Sequence, residues 1–430
     1  MNTAVTHSAV HHLENVLFFT LLQVVIIIMI ARLAGNLARR IGQPRAVGEI
    51  IAGLILGPSL LGSLAPETFA YIFHSVDAMP LTVISQIGLV LLMFQVGMDF
   101  DFSHLTEQRN RVAVMAVSSA GVIVPFLLGF IFAQLSAQTL APNINPLTYS
   151  LFIATAFSIT AVPILGRIMN EFGLNRTRLG AITISSAAIN DVVGWTLLAA
   201  ISAVVAANFS LFGVAHQVGK IALYLVGCWW VVKIIKRHVI RRYDLSQGLP
   251  RDLMAILLIM VFASAIITNQ IGIFAIFGGF VMGVLLHSNT ALVSAWKEKV
   301  SDLVIVFFLP IFFTYSGLRT DILGLDSWAL WGWCAVAILL ATIGKYGGCY
   351  WGGRFAGLKC HEARSIAIMM NTRALMGLIV LNVGHDLGVI SQNVFTMMVL
   401  MAIFTTVITA PCLRLWLPHT GHVIPAGRDG

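Results

Sequence analysis

The stretch LFIATAFSITAVPILGRIM, residues 151–169, decides how this chain folds. It is apolar and long enough to cross a membrane, but Pro163 removes a backbone donor and clashes with the preceding turn. Upstream, the hydroxyls of Thr155, Ser158 and Thr160 can satisfy freed backbone groups or offer oxygens to an ion. The pattern predicts a helix interrupted near its middle, with a simple proline kink as the alternative.

The composition of the whole chain indicates a polytopic membrane protein. Of its 430 residues, 58% are hydrophobic and only 10% are charged, against about 25% charged in soluble domains. We predict thirteen membrane-spanning helices and one all-α membrane domain over residues 1–430, with no soluble regulatory domain. The predicted helices cover residues 13–36, 46–64, 81–98, 112–135, 147–169, 178–205, 211–236, 251–270, 272–288, 301–318, 328–352, 363–385 and 392–416.

The basic residues predict the orientation of the chain. With alternating loops, 22 of the 26 Lys and Arg residues fall on one side of the membrane. The positive-inside rule then places the N-terminus outside and the C-terminus in the cytoplasm, and a bacterial inner membrane is the expected location. The net charge of +8 is explained by this topology, so no nucleic-acid partner is expected. The five cysteines form no CxxC pair and are expected to be packing residues.

A weak internal repeat is visible in the glycine motifs. AGLILG (52–57) resembles GGFVMG (278–283), and FQVGMDFD (94–101) resembles TYSGLRTD (314–321). The first six helices, about 13–205, would correspond to the last six, about 251–416. The linker helix at about 211–236 would invert the second copy, which is an arrangement typical of secondary transporters.

Asp191 is the most unusual residue of the chain, because it lies in the middle of a membrane helix. It follows Arg178 by 13 residues, which places it about 20 Å into the membrane. Its neighbours Ala187, Ala188 and Gly194 are small, which favours packing against other helices over lipid. A carboxylate at this depth is a functional candidate, and the alternative is a carboxylate that only pairs with a base.

Two cations are predicted at comparable depth. Lys345 and Arg373 each lie nine residues from a basic residue at the cytoplasmic end of their helix, or about 13 Å into the membrane. Lys345 is the stronger functional candidate because an ammonium can release its proton. Arg373 fits a structural countercharge equally well. Glu49, near the cytoplasmic end of its helix, is interpreted as mainly structural.

A second interrupted helix is predicted over residues 363–385. In the repeat it corresponds to the helix that contains Pro163, and it carries Asn371 and Thr372 at mid-membrane. Matching interrupted helices mark the binding site in many transporters. We therefore expect the two helices to cross at their breaks.

Five motifs carry a resemblance to a known family. They are VGEIIAGLILGPSLLG (47–62), TAFSITAVPILGRIM (155–169), AINDVVGW (188–195), LPIFFTYSGLRTDI (309–322) and NTRALMGLIVLNVGHDLGVI (371–390). In this order, and over nearly the whole chain, they resemble the second monovalent cation:proton antiporter family. The resemblance is greatest to its plant and fungal cation/proton exchanger branch and to bacterial relatives.

The resemblance implies thirteen helices, a homodimer, and a scaffold domain beside a mobile core domain with two crossed, broken helices. It implies that Asp191 carries the transported cation, Na⁺ or K⁺, and H⁺ in turn. Asn190 would lie beside it, Thr160 near the first crossover, and Lys345 would be the base of the core domain. No cofactor is implied, and the protein is not expected to be an enzyme.

This chain departs from part of the family. Members that move unequal charge have two adjacent carboxylates where this chain has Asn190 and Asp191, and relatives with one carboxylate are generally electroneutral. Because Lys345 is retained, both stoichiometries stay open. The gated potassium-efflux members add a nucleotide-binding domain, whereas this chain stops at Gly430, so such gating is not expected.

The sequence favours a secondary active antiporter that works by alternating access. A cation channel or uniporter is the alternative, since broken helices also line pores, but no filter-like sequence or acidic ring is evident. An ATP-driven pump is disfavoured because no GxxxxGK motif occurs. An intramembrane aspartyl protease is disfavoured because the chain lacks a second aspartate in a suitable motif.

Overall fold

A computed structural model of the protein describes residues 2–98, 108–174, 177–206, 211–238, 240–243, 245 and 248–422. These residues form helices and connecting loops, and no strand occurs among them. The helices are α1 Asn2–Arg40, α2 Arg45–Leu56, α3 Leu61–Leu64, α4 Pro66–Phe73, α5 Met79–Met98, α6 Gln108–Leu140, α7 Pro146–Ser158, α8 Val162–Glu171, α9 Arg178–Ala206, α10 Leu211–His238, α11 Arg251–Ile271, α12 Ala275–Leu286, α13 Thr290–Trp296, α14 Leu309–Leu318, α15 Trp328–Phe355, α16 Cys360–Met370, α17 Ala374–Asp386, α18 Gln392–Val407 and α19 Thr409–Trp416.

Within the described ranges, ten segments are long and apolar enough to cross a membrane, or eleven if one bent pair counts as a span. The predicted count of thirteen is therefore not confirmed. Three predicted segments account for the difference. Residues 147–169 are divided between α7 and α8, residues 272–288 contain only the short α12, and residues 301–318 belong to a helix pair bent by 46°.

The helices pack into two bundles. In the first bundle, α2 packs between α1 and α14, while α12 packs against α5, α10 and α11. In the second bundle, α6 packs against α7, α9 and α15, and α15 packs in turn against α16 and α18. Helix α17 packs on α18, and α19 packs on α16. Asp191 and both predicted broken helices thus belong to the second bundle.

Glycines bring the helices of the first bundle into backbone contact. A Cβ atom on Gly317 would lie 2.0 Å from the carbonyl oxygen of Gly53, and one on Gly57 would lie 2.4 Å from the carbonyl oxygen of Gly317. Gly97 and Gly283 make an equivalent approach, since a Cβ atom on Gly97 would lie 3.0 Å from Cα of Gly283. Close approach of this kind replaces side-chain packing where lipid offers no hydrophobic driving force.

Within the described ranges, two hydrogen bonds mark the face where the chain has Arg- and Lys-rich loops. There the Arg414 guanidinium donates to the Gly42 carbonyl (2.8 Å), and Lys299 donates to the Leu249 carbonyl (2.6 Å). At the opposite face, Ser391 donates to the Leu140 carbonyl (2.8 Å). We call the basic face the inner face and the opposite face the outer face. The orientation of the termini in a membrane stays a prediction.

Candidate functional site

Two helix breaks contact each other in the second bundle. The first lies between Ser158, where α7 ends, and Val162, where α8 begins. The second lies between α16 and α17, over residues 371–373. The Ala161 amide donates to the Thr372 carbonyl (2.7 Å), and the Thr160 hydroxyl donates to the Met370 carbonyl (3.2 Å). Backbone groups left free by each break are therefore satisfied by the other.

The first break lies just before Pro163. This residue is the second of α8, in a turn whose amides have no intrahelical acceptor, so the missing N–H costs no hydrogen bond. The proline therefore begins a new helix and does not merely kink a continuous one. Its side chain lies outside the described part of the structure.

Asn371 and Thr372 both lie in the second break and are fully buried. The Thr372 hydroxyl lies 3.3 Å from the Thr409 hydroxyl. Neither the oxygen nor the nitrogen of the Asn371 amide has a hydrogen-bond partner in the described part of the chain. A buried amide without partners is rare and suggests a place where a ligand or water binds.

Asp191 lies on α9 beside the first break. Asp191 is 1% exposed, and neither of its carboxylate oxygens has a hydrogen-bond partner among the described residues. Gly194, one turn along the same face, would place a Cβ atom 2.9 Å from Cγ1 of Ile159 in the break. A buried carboxylate without a hydrogen-bonded partner is costly, so this arrangement is unusual, and both the functional and the structural interpretation of Asp191 stay predictions.

Lys345, on α15, is fully buried and bound by three oxygens. Its ammonium donates to the carbonyl of Gly121 (2.8 Å) and to the carbonyl of Ser158 at the end of α7. The neighbours of Asn190 assign the orientation of its amide, with the oxygen facing Lys345 and the nitrogen facing Ser118. In this orientation the oxygen accepts from the ammonium (2.9 Å), and the nitrogen donates to the Ser118 carbonyl (3.0 Å). All three N–H groups of the ammonium therefore have acceptors, and none of these is Asp191.

Arg373, the last residue of the second break, is also fully buried. Its guanidinium donates to the Ala341 carbonyl on α15 (2.6 Å) and approaches the Met401 sulfur on α18 (3.8 Å). These contacts tie the break to two neighbouring helices. Arg373 thus lies in the same bundle as Asp191, but its partners are on α15 and α18, whereas Asp191 is on α9.

The remaining hydroxyls can contribute oxygen ligands. Ser158 donates to the Thr155 carbonyl (2.8 Å), and Thr160 donates to Met370 as described above, so the proton of each hydroxyl is engaged. The oxygen lone pairs of both side chains stay available. Hydroxyl and carboxylate oxygens are hard ligands of the type that cations such as Ca²⁺ and Mg²⁺ prefer.

Three residues of this region were not anticipated from the sequence. Thr406 on α18 accepts from the amides of Arg373 (3.3 Å) and Ala374 (3.1 Å) and thereby caps the N-terminus of α17. The main-chain carbonyl of Ser118 accepts a hydrogen bond from the Asn190 amide, and that of Gly121 accepts one from Lys345. Every residue type carries such a carbonyl, so side-chain chemistry gave no signal for these two.

Comparison with known proteins gave consistent matches. The sequence model of the family described as "sodium/hydrogen exchanger, transmembrane" matches residues 25–417. The Na⁺/H⁺ antiporter NhaS4 of Synechocystis sp. is 40% identical over 410 residues, which is 95% of this chain and 99% of that protein. The K⁺/H⁺ antiporter 1 of Saccharomyces cerevisiae is 30% identical over 93% of this chain, which spans 46% of the yeast protein.

A solved structure extends the likeness to the fold. The sodium proton antiporter MjNhaP1 from Methanocaldococcus jannaschii, at pH 8, aligns with a TM-score of 0.61. The alignment covers 94% of this chain and 98% of the archaeal one, with 16% sequence identity. At this identity the match supports the fold alone.

Proposed function

The chain belongs to the sodium/hydrogen exchanger family of membrane transporters, and we propose that it exchanges a monovalent cation, Na⁺ or K⁺, for H⁺ at Asp191. The observation that carries this proposal is the Asp191 carboxylate itself. It is buried, it has no hydrogen-bond partner in the described part of the chain, and it lies beside two helix breaks that contact each other. Such a group is stable only when a proton or a cation neutralises it.

The exchange follows from this need for neutralisation. Either H⁺ or a cation cancels the charge of Asp191, and the lone pairs of Ser158 and Thr160 add oxygens for the cation. An empty, charged site is costly to move through the membrane interior. The second bundle therefore changes position only when loaded, which couples the movement of one ion to the countermovement of the other.

Alternating access requires the two bundles to separate at one face at a time. At the outer face, the Arg319 guanidinium at the end of α14 forms an ion pair with Asp386 at the end of α17 (2.6 Å). One turn away, the Asn382 amide nitrogen donates a hydrogen bond to the Ser316 hydroxyl (2.8 Å). At the inner face, the Arg414–Gly42 hydrogen bond joins the same two bundles. These contacts would open and close in turn as the bundles move.

The glycine contacts support an inverted repeat. Under the motif alignment, Gly57 corresponds to Gly283 and Gly317 corresponds to Gly97. The pair Gly57–Gly317 is therefore the counterpart of Gly283–Gly97, and both pairs are in backbone contact. Each copy would supply one helix to each contact, as expected for two interlocked repeats.

Electroneutral exchange is the proposed stoichiometry, because Asn190 supplies no second negative charge. Lys345 and Arg373 would act as fixed positive charges held by main-chain carbonyls. We also propose a homodimer with the N-terminus outside and the C-terminus in the cytoplasm. Light scattering of the purified protein tests the homodimer. Labelling of single cysteines from each side of the membrane tests the orientation of the termini.

A cation gradient imposed across proteoliposomes tests the function. The proposed antiporter should acidify or alkalinise the vesicle interior in a saturable, cation-dependent way. A channel or uniporter would instead move cations without obligatory proton countertransport. Comparing Na⁺ with K⁺ in the same assay identifies the preferred ion.

A further inference from the structure

The Gly121 carbonyl that binds Lys345 is left free by a proline. Pro125 lies inside α6, four residues after Gly121, where an ordinary residue would donate its amide to that carbonyl. Proline has no amide hydrogen, so the carbonyl has no partner within its own helix. The Lys345 ammonium takes this place at 2.8 Å.

Close packing brings Lys345 to the freed carbonyl. A Cβ atom on Gly344, the residue before Lys345, would lie 3.0 Å from Cα of Pro125. One turn further along α15, a Cβ atom on Gly348 would lie 2.5 Å from the Ala120 carbonyl. The glycines allow α15 to lie against the backbone of α6 at the point where the proline interrupts its hydrogen bonds.

A proline that frees no helical carbonyl provides a control. Pro66 is the exposed first residue of α4, where the missing amide hydrogen costs no intrahelical hydrogen bond. Replacing it with alanine makes the same chemical change as Pro125→Ala without altering any acceptor of Lys345.

We propose that Pro125 is a positioning residue for the exchange reaction: by freeing the Gly121 carbonyl, it keeps the Lys345 ammonium hydrogen-bonded to oxygens other than those of Asp191. This inference rests on the proposed function of Asp191. With three oxygen acceptors, the ammonium is fully hydrogen-bonded and leaves Asp191 to the transported ions. If a helical amide also donated to the Gly121 carbonyl, Lys345 would have to share that acceptor, and its hydrogen bond there would weaken. The ammonium would then compete more strongly with the cation for Asp191.

The variant Pro125→Ala tests this role, because alanine restores the amide that Gly121 lacks. Hydrogen bonds that involve a charged group are strong, so weakening this one should raise the KM for the cation severalfold. The rate at saturating cation should change less than KM does. Thermal stability should not fall, since alanine is a far better helix residue than proline. Pro125→Val restores the same amide and provides a second variant.

Pro66→Ala is the control and should leave the KM at the wild-type value. The inference is overturned if folded Pro125→Ala and Pro125→Val keep the wild-type KM, or if Pro66→Ala raises KM equally. It is also overturned if both Pro125 variants unfold, because a restored helical amide should not destabilise α6. Cation exchange by the wild-type protein is measured in the same series. Its absence would contradict the proposed function, whereas an unchanged KM would contradict only the role of Pro125.

Discussion

The Asn190 amide oxygen accepts a hydrogen bond from the Lys345 ammonium at 2.9 Å, while the carboxylate of the next residue, Asp191, accepts none from the described part of the chain. Under the proposed function, these neighbouring residues have separate roles. The neutral amide of Asn190 accepts from the buried lysine, and the Asp191 carboxylate binds the transported ions. One transported charge per site would follow from this division.

Exchange should be electroneutral, with one cation moved for one proton. Because either ion cancels the single charge of Asp191, the loaded bundle carries the same net charge in both directions. An uncompensated elementary charge would couple transport to the membrane potential by about 2.3 kcal/mol at 100 mV. Exchange rates in proteoliposomes clamped at zero and at about 100 mV should agree. A severalfold change would indicate instead that Lys345 releases a proton in each cycle.

Lys345→Arg should remain folded and active, because the guanidinium keeps the positive charge and has enough donors for the three oxygens around it. Lys345→Met should lower thermal stability, since each buried oxygen left without a donor costs about 1–3 kcal/mol. Thermal unfolding in detergent and exchange in proteoliposomes measure the two effects. A Lys345→Arg protein that folds normally and exchanges nothing would show that the lysine must release its proton.

Gly317→Ala should destabilise the first bundle by about 1–3 kcal/mol. The added methyl would lie 2.0 Å from the Gly53 carbonyl oxygen, so α2 and α14 would have to move apart. Gly347→Ala is the matched control, because nothing lies within 4 Å of its added Cβ atom. That variant should be neutral or slightly more stable. Equal unfolding temperatures for both variants would argue against backbone contact between α2 and α14.

Under the proposed alternating access, Arg319→Gln should shift the protein toward the outward-open state, because it removes an ion pair that joins the two bundles at the outer face. An exposed pair contributes up to about 1 kcal/mol, or roughly a fivefold shift in population. The apparent affinity for the cation should rise at the outer face and fall at the inner face. Arg414→Gln should have the opposite effect. Shifts in the same direction for both variants would contradict the assignment of these contacts to opposite faces.

Much of the site could be predicted from the sequence because its residues conflict with a membrane helix. Pro163, Asp191 and the polar pair Asn371–Thr372 each break the apolar pattern, and all four lie in or beside the two contacting breaks. Thr406 has no such signal, since a threonine in an apolar helix usually bonds its own preceding turn. It does so here, donating to the Ala402 carbonyl (2.8 Å), while its oxygen caps another helix.

The predicted number of spans is not confirmed, and the physical reason is that hydropathy does not report backbone continuity. Hydropathy detects how long an apolar run is, but not whether its backbone is continuous. Helix α12 covers only Ala275–Leu286 although its surroundings are apolar. The segment that leads to α14 contains two stretches of π-helix, at Lys297–Ser301 and Val304–Phe308, that no apolar pattern reveals. The bend in that segment reduces the count of straight, membrane-long helices.

Cation-dependent pH change in proteoliposomes that contain Asp191→Asn is the most direct test of the central claim. The asparagine keeps the size of the side chain but cannot carry the charge that H⁺ and the cation exchange. We expect no cation-coupled proton movement, with normal folding, while Asp252→Asn, an exposed carboxylate at the inner end of α11, exchanges at the wild-type rate. Proton-coupled cation flux that persists in purified, folded Asp191→Asn would contradict the account.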